Sequence, residues 1–154
     1  KRFAADVLQL KPRVAVINGG VNNTFPFFEI EAATLPAAAE EVINTFVHAY
    51  EAMFAACRQA GQRVIAGTIT PLAEEPSPGA QARKKAVVRM NAELLGLCAR
   101  HGVPCVDYHT PLAAADGLTV QPGITRDGVH PNEIGYTRMA RVIRPVLTAM
   151  LTKG

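Results

Sequence analysis

The stretch Val14-Ala15-Val16-Ile17-Asn18-Gly19-Gly20 decides the fold: a short apolar, mostly β-branched run stopped by an asparagine and two glycines. Such a run reads as a strand buried on both faces, the pattern of a parallel sheet covered by helices. Runs of the same kind return at Arg63-Val64-Ile65-Ala66-Gly67-Thr68-Ile69 and at Val103-Pro104-Cys105-Val106-Asp107. Between the first two, residues 37–60 place Val42 or Ile43, Phe46 or Val47, Tyr50, Met53 or Phe54 and Cys57 at helical spacing, with Gly61 as the stop. Residues 80–101 repeat the pattern with Val87, Met90 or Asn91, Leu94 and Cys98, closed by His101-Gly102. A last helix is predicted over 132–151, carrying Ile134, Met139, Ile143, Val146, Leu147 and Met150 inward and bent at Pro145. Residues 3–10, apolar at Phe3, Val7 and Leu10 and ending at Lys11-Pro12, read as the last turns of another amphipathic helix. Residues 21–36, 70–79 and 108–130 are loops.

Strands alternating with helices make a parallel α/β sheet, in which ligands bind at the carboxyl ends of the strands. The segments to examine therefore follow Ile17, Ile69 and Asp107. The 154 residues carry 16 Lys and Arg against 13 Asp and Glu, a net charge of +3, with 49% hydrophobic and 19% charged residues. This is the balance of one globular domain, 1–154, large enough to bury about 70% of the surface its unfolded chain exposes. No apolar stretch approaches the roughly 20 residues a bilayer span needs, so no membrane span is expected. The longest basic run is Arg83-Lys84-Lys85, which suggests no nucleic-acid partner. Cys57, Cys98 and Cys105 lack metal-ligand or CxxC spacing and read as small buried hydrophobes.

Two segments carry chemistry. Asp127-Gly128-Val129-His130-Pro131-Asn132 sets a carboxylate three residues before an imidazole, at the start of the last helix. Gly128 permits a tight turn, and Pro131 forces His130 out of the α region. Asp127 can then hold one ring nitrogen while the other faces a cleft, the requirement of a general base and its orienting carboxylate. The plainer reading is an Asp-Gly turn with a surface histidine. Directly after the first strand, Gly20 allows close backbone approach, and Asn22 and Asn23 offer amide donors to an oxyanion or substrate; a polar turn closing a strand is the alternative.

Together, Gly20-x-Asn22-Asn23 after a strand and Asp127-x-x-His130-Pro131-Asn132-x-x-Gly135-Tyr136 resemble the third and fifth sequence blocks of the SGNH hydrolases, also called the GDSL esterase and lipase family. The likeness is greatest to its small bacterial acylhydrolases and acetylesterases, and extends to Leu10-Lys11-Pro12 and Asp107-Tyr108-His109. The resemblance implies a flavodoxin-like three-layer α/β/α sandwich and a Ser-His-Asp esterase with no metal or cofactor. It implies Asp127 and His130 as catalytic residues, Asn22 as an oxyanion donor, and Gly20 and Asn23 beside it. The substrate expected is a small ester, a short acyl or acetyl group on a carbohydrate or small alcohol. The family's serine block and its oxyanion glycine block are not found, and the chain begins with Lys1 instead of Met. We therefore expect an N-terminal part to be missing, a preceding segment or partner chain to cover the first strand's edge, and this chain alone to be inactive. Secreted, periplasmic and cytoplasmic locations all fit.

Other groups read as structural. Ser77, the only serine, sits in a proline-bounded loop without a strand-to-helix elbow and reads as a solvated turn, which leaves no nucleophile in this chain. Thr24, Thr68 and Thr70 lack the terminal amine that activates threonine nucleophiles, although Thr68 to Pro71 are candidates to line the cleft. His48 reads as partly buried, His101 as a helix C-terminal residue, and His109 as bordering the site. Phe25, Phe27 and Phe28 form either an apolar wall for the substrate or packing beneath the loop. The rival class is a non-catalytic SGNH-like binding module.

Overall fold

The computed structural model describes residues 2–73 and 75–152. Strands β1 (Val14–Asn18), β2 (Arg63–Gly67) and β3 (Cys105–Val106) form one parallel sheet in the order β1-β2-β3, with Ala15 beside Val64 and Ala66 beside Cys105. The helices are α1 (Phe3–Asp6), α2 (Leu35–Gln59), α3 (Pro78–His101) and α4 (Glu133–Thr152). Alternation along β2 sorts the layers. Val64 and Ala66 pack with Phe46, Tyr50 and Phe54 of α2 and Val87, Met90 and Leu94 of α3. Ile65, with Val106 and Tyr108, meets Met139, Ile143, Val146 and Leu147 of α4 on the opposite face. The expected three-layer α/β/α arrangement is present.

Several details differ from the sequence reading. β1 is not buried on both faces: Ala15 is buried, but Val16 is 44% exposed. Among the described residues β1 pairs only with β2, and the α4 residues gather over β2 and β3, with only Val14 of β1 in that cluster. Residues 3–10 are one α-turn and a 3-10 turn, Leu8–Leu10, instead of a continuous helix. Lys11 ends them with φ +48°, consistent with the bar on helical geometry before a proline. The loop 21–36 contains 3-10 turns at Val21–Phe28 and Ala32–Thr34, and α2 begins at Leu35 because Pro36 fits a first helical turn, where its missing N–H costs nothing.

β3 is only two residues long. Pro104 has no N–H to give the ladder, and past Val106 the N–H groups of Tyr108 and His109 turn to the Thr68 hydroxyl. Ile134, expected inward, is 54% exposed. The first turn of α4 packs instead through Gly135, where an added Cβ would lie 2.6 Å from the Ile124 carbonyl oxygen and 2.8 Å from Pro131 Cβ. His48 is exposed, not partly buried. His101, at the end of α3, faces Glu51 at 3.7 Å. Cys57 and Cys98 are buried and Cys105 partly so. Among the described residues no helix is long and apolar enough to cross a membrane.

Candidate active site

The carboxyl ends of β1 and β2 are tied together before either loop begins. The Asn18 side-chain amide donates to the carbonyls of Gly67 (3.1 Å) and Thr68 (2.8 Å). The Tyr50 hydroxyl lies 3.2 Å from both the N and the O of Gly19, and burial pushes its pKa up to about 12. Gly20 follows with φ +120°, and a Cβ there would lie 2.6 Å from Phe46 Cε2. Backbone geometry and core contact both demand glycine. Asn22 and Asn23 come next on the 3-10 turn, both exposed, and among the described residues no side-chain hydrogen bond engages either.

After β2 the chain is held by Thr68, whose hydroxyl donates to Asp107 Oδ1 (3.2 Å) and accepts from Tyr108 N (2.9 Å) and His109 N (3.0 Å). Burial pushes the Asp107 carboxyl up, but the bonds from Thr110, Thr68 and His109 outweigh it and leave the group below its ordinary value. His109 borders this region, yet its ring nitrogens lie against the carbonyls of Ile69 (3.0 Å) and Gly117 (2.9 Å), which makes it a structural clamp. Asn91 of α3 pairs with both backbone groups of Ile69, at 2.7 and 2.9 Å. Thr68 and Pro71 are buried.

The third segment brings its two predicted partners together. His130 Nδ1 lies 2.7 Å from Asp127 Oδ2, and Asp127 Oδ1 accepts the N–H groups of His130 (2.8 Å) and Val129 (3.0 Å). The backbone N–H of His130, then its ring, then Val129 hold the Asp127 carboxyl well below the usual carboxylate range. The loop that sets this pair is closed on itself. Arg126 N donates to His130 O (2.9 Å), Asn132 N to Ile124 O (3.0 Å), and Asn132 Oδ1 caps α4 through Ile134 N (3.0 Å) and Gly135 N (3.2 Å). Gly128, at φ +85°, lies so close to Ala73 that a Cβ would come within 2.6 Å of the Ala73 Cβ, and its carbonyl accepts Ala73 N at 2.8 Å. The His130 side chain is 68% exposed, and among the described residues no hydrogen bond engages its Nε2. A deprotonated Nε2 there can take a proton from a hydroxyl, with Asp127 stabilising the imidazolium that results.

A depressed pKa makes the Asp127 interactions a source of pH-dependent stability. The contribution is fully present above the ordinary value of 3.8 and is lost as the pH falls below it. Asp127→Asn should therefore give a shallower loss of stability between pH 4 and lower pH, read by far-UV circular dichroism during acid titration.

The sequence reading missed Arg83. A cavity of about 210 Å³ beside the pair is lined by Leu72, Ala73, Glu75, Arg83, Asp127 and Val129, among others. Arg83 is only 5% exposed, and its guanidinium lies 4.6 Å from the ring centroids of both Phe25 and Phe28. Its signal was helical phase: Arg83 falls on the same stripe of α3 as Val87, Met90 and Leu94. Phe27 is buried against Leu35 and Ala86, packing beneath the loop, whereas Phe25 and Phe28 are exposed and lie against Arg83.

Ser77 lies in the turn before α3, as the sequence reading expects. It caps α3, its Oγ accepting Ala80 N at 3.2 Å and donating to Glu75 Oε1 at 3.1 Å. Ser77→Ala should cost about 1 kcal/mol of stability in a thermal melt. It should leave ester hydrolysis by the full-length protein unchanged.

Comparison with known proteins follows the same lines. A GDSL-like lipase from Bacteroides thetaiotaomicron is similar at 24% identity and a TM-score of 0.74, over 96% of this chain and 68% of that one. A variant of an acetyl xylan esterase from Geobacillus stearothermophilus is similar at 17% identity and a TM-score of 0.70, over 94% of this chain and 64% of that one. No curated protein matches the sequence. At these identities the two structures share the fold. The sequence pattern of the GDSL-like lipase/acylhydrolase family matches residues 1–138, and with its Asp127–His130 loop at the carboxyl ends of a parallel sheet, the chain belongs to that family.

Proposed function

We propose that the parent protein hydrolyses a small ester through an acyl-enzyme, with His130 and Asp127 as two members of a Ser-His-Asp triad and the serine supplied from outside these residues. The observation that carries this reading is the 2.7 Å contact between Asp127 Oδ2 and His130 Nδ1, which leaves Nε2 available. The serine oxygen attacks the ester carbonyl carbon while its proton passes to His130 Nε2. The oxyanion that forms is met by the Asn22 side-chain amide, on the turn that Gly20 shapes, with Asn23 beside it. Collapse breaks the bond to the leaving alcohol, which takes the proton from Nε2. Water then repeats the sequence on the acyl-enzyme.

Support for an outside serine comes from Ser77, the only one in the sequence, which is committed to capping α3. The open edge of β1, with Val16 exposed, offers parallel pairing to a preceding segment or a partner chain bearing that serine. A short acyl group, acetyl above all, on a carbohydrate or small alcohol suits the small cavity beside the pair and agrees with the acetyl xylan esterase of similar fold. The test compares turnover of p-nitrophenyl acetate by the full-length protein and by residues 1–154 alone. We expect turnover from the first and none above buffer from the second. Equal rates would contradict the reading.

A further inference from the structure

Among the described residues, Arg83 is a buried cation with no carboxylate within 4.0 Å. Its Nε donates to Thr24 Oγ1 at 3.0 Å, and the Thr24 hydroxyl is itself spent on Val21 O at 2.7 Å, so the threonine oxygen is fixed in place as an acceptor. The Phe25 and Phe28 rings lie against the guanidinium. Its Nη2 is buried and makes no hydrogen bond. No ion pair within 4.0 Å joins Arg83 to an acidic side chain among the described residues. Among the described residues, the carboxylate that acts on it electrostatically is the exposed Glu75, whose Oε1 accepts the Ser77 hydroxyl. A desolvated guanidinium with an unmet donor is costly unless a counter-charge reaches it, and its planar fork matches a carboxylate in two-point contact. The side chain that bears this donor lines the same cavity as Asp127 and Val129.

We propose that Arg83 makes this cavity a carboxylate subsite, so that the ester taken by the protein carries an acidic group close to its acyl oxygen: an O-acylated sugar acid or hydroxy acid. The assignment of the ester rests on the reading of Asp127 and His130 as the reacting pair; the carboxylate subsite itself does not. The guanidinium lies against the Phe25 and Phe28 rings in a side chain only 5% exposed, and this desolvation raises its preference for a formal negative charge over a neutral hydroxyl. Two carboxylates line the cavity with it. The Asp127 carboxylate is engaged by His130 Nδ1 and by the N–H groups of His130 and Val129, whereas Glu75 competes with an incoming anion for Arg83.

The test titrates the 154-residue chain with sodium glucuronate, and with glucose and sodium chloride at the same ionic strength, following the Arg83 Nε–H and Gly128 amide resonances by NMR. Glucuronate alone should give a saturable shift at both positions. Arg83→Gln should weaken it by about 10- to 100-fold, the loss of charge-assisted hydrogen bonds. Because Arg83 also packs against two rings, Glu75→Gln on an exposed residue provides the second variant. It should tighten glucuronate binding by about threefold by removing the competing charge. Equal shifts from glucose, no saturable shift from glucuronate, or a Glu75→Gln variant that binds no tighter would each overturn the subsite. Binding needs no nucleophile, so a failure here is read apart from a failure of ester turnover.

Discussion

Replacing His130 by alanine in the full-length protein should lower kcat on an ester substrate by on the order of a million-fold, the effect of removing a triad base. The chain should keep its fold. The imidazole is two-thirds exposed and, among the described residues, its ring bonds only to Asp127, so little packing is lost and the change in melting stability should be under about 0.5 kcal/mol from lost surface contacts, with the Asp127 pairing added to it. Asp127→Asn should lower kcat by about 10,000-fold, because the amide holds the ring in the wrong tautomer while leaving its place unchanged. Added imidazole should return part of the rate to the alanine variant and none to the asparagine variant. Steady-state rates and a thermal melt of each variant check the set. A His130→Ala variant with more than a tenth of the parent rate would remove this residue from the chemistry.

Gly20→Ala should be among the most damaging small substitutions at the site. At φ +120° an L-residue is strained by about 1–3 kcal/mol, and the new methyl would lie 2.6 Å from Phe46 Cε2 and 3.1 Å from Ile69 Cδ1. Overpacking of that kind costs a further 1–3 kcal/mol or so, giving a total of about 2–6 kcal/mol in urea unfolding. The methyl also pushes the turn that carries Asn22. Turnover should therefore fall even where the variant remains folded, since misplacing a group by about 1 Å can cost about 100-fold in rate. Gly19→Ala is the control: a Cβ there meets nothing within 4 Å and should be nearly neutral.

The layers of this fold were legible because they rest on periodicities. The α2 stripe of Phe46, Tyr50, Phe54 and Cys57 and the α3 stripe of Val87, Met90 and Leu94 are the buried core itself. The Asp127–His130 pair was legible because it is local: six consecutive residues contain the carboxylate, the turn glycine, the imidazole and the proline that shapes them. What escaped the sequence depends on contacts between distant segments. Val16 has the composition of a buried strand residue, but its burial depends on what lies beyond the sheet edge. β3 shortens because Thr68, just past the end of β2, takes over the N–H groups of Tyr108 and His109. The cavity beside His130 joins α3, the segment after β2 and the loop before α4, so no single stretch of sequence carries it. Arg83 was hidden by its neighbours in a basic run that ordinarily faces solvent.

The central claim is that the histidine and carboxylate of this chain activate a serine that lies outside it. A fluorophosphonate probe, which reacts with activated serines, tests it when the full-length preparation is weighed intact before and after labelling and the adduct is located by peptide mapping. The account predicts one adduct, on a serine beyond residues 1–154, absent from the His130→Ala variant. An adduct on Ser77, or labelling that survives His130→Ala, would contradict it. A preparation that hydrolyses esters with no adduct on any chain would do the same.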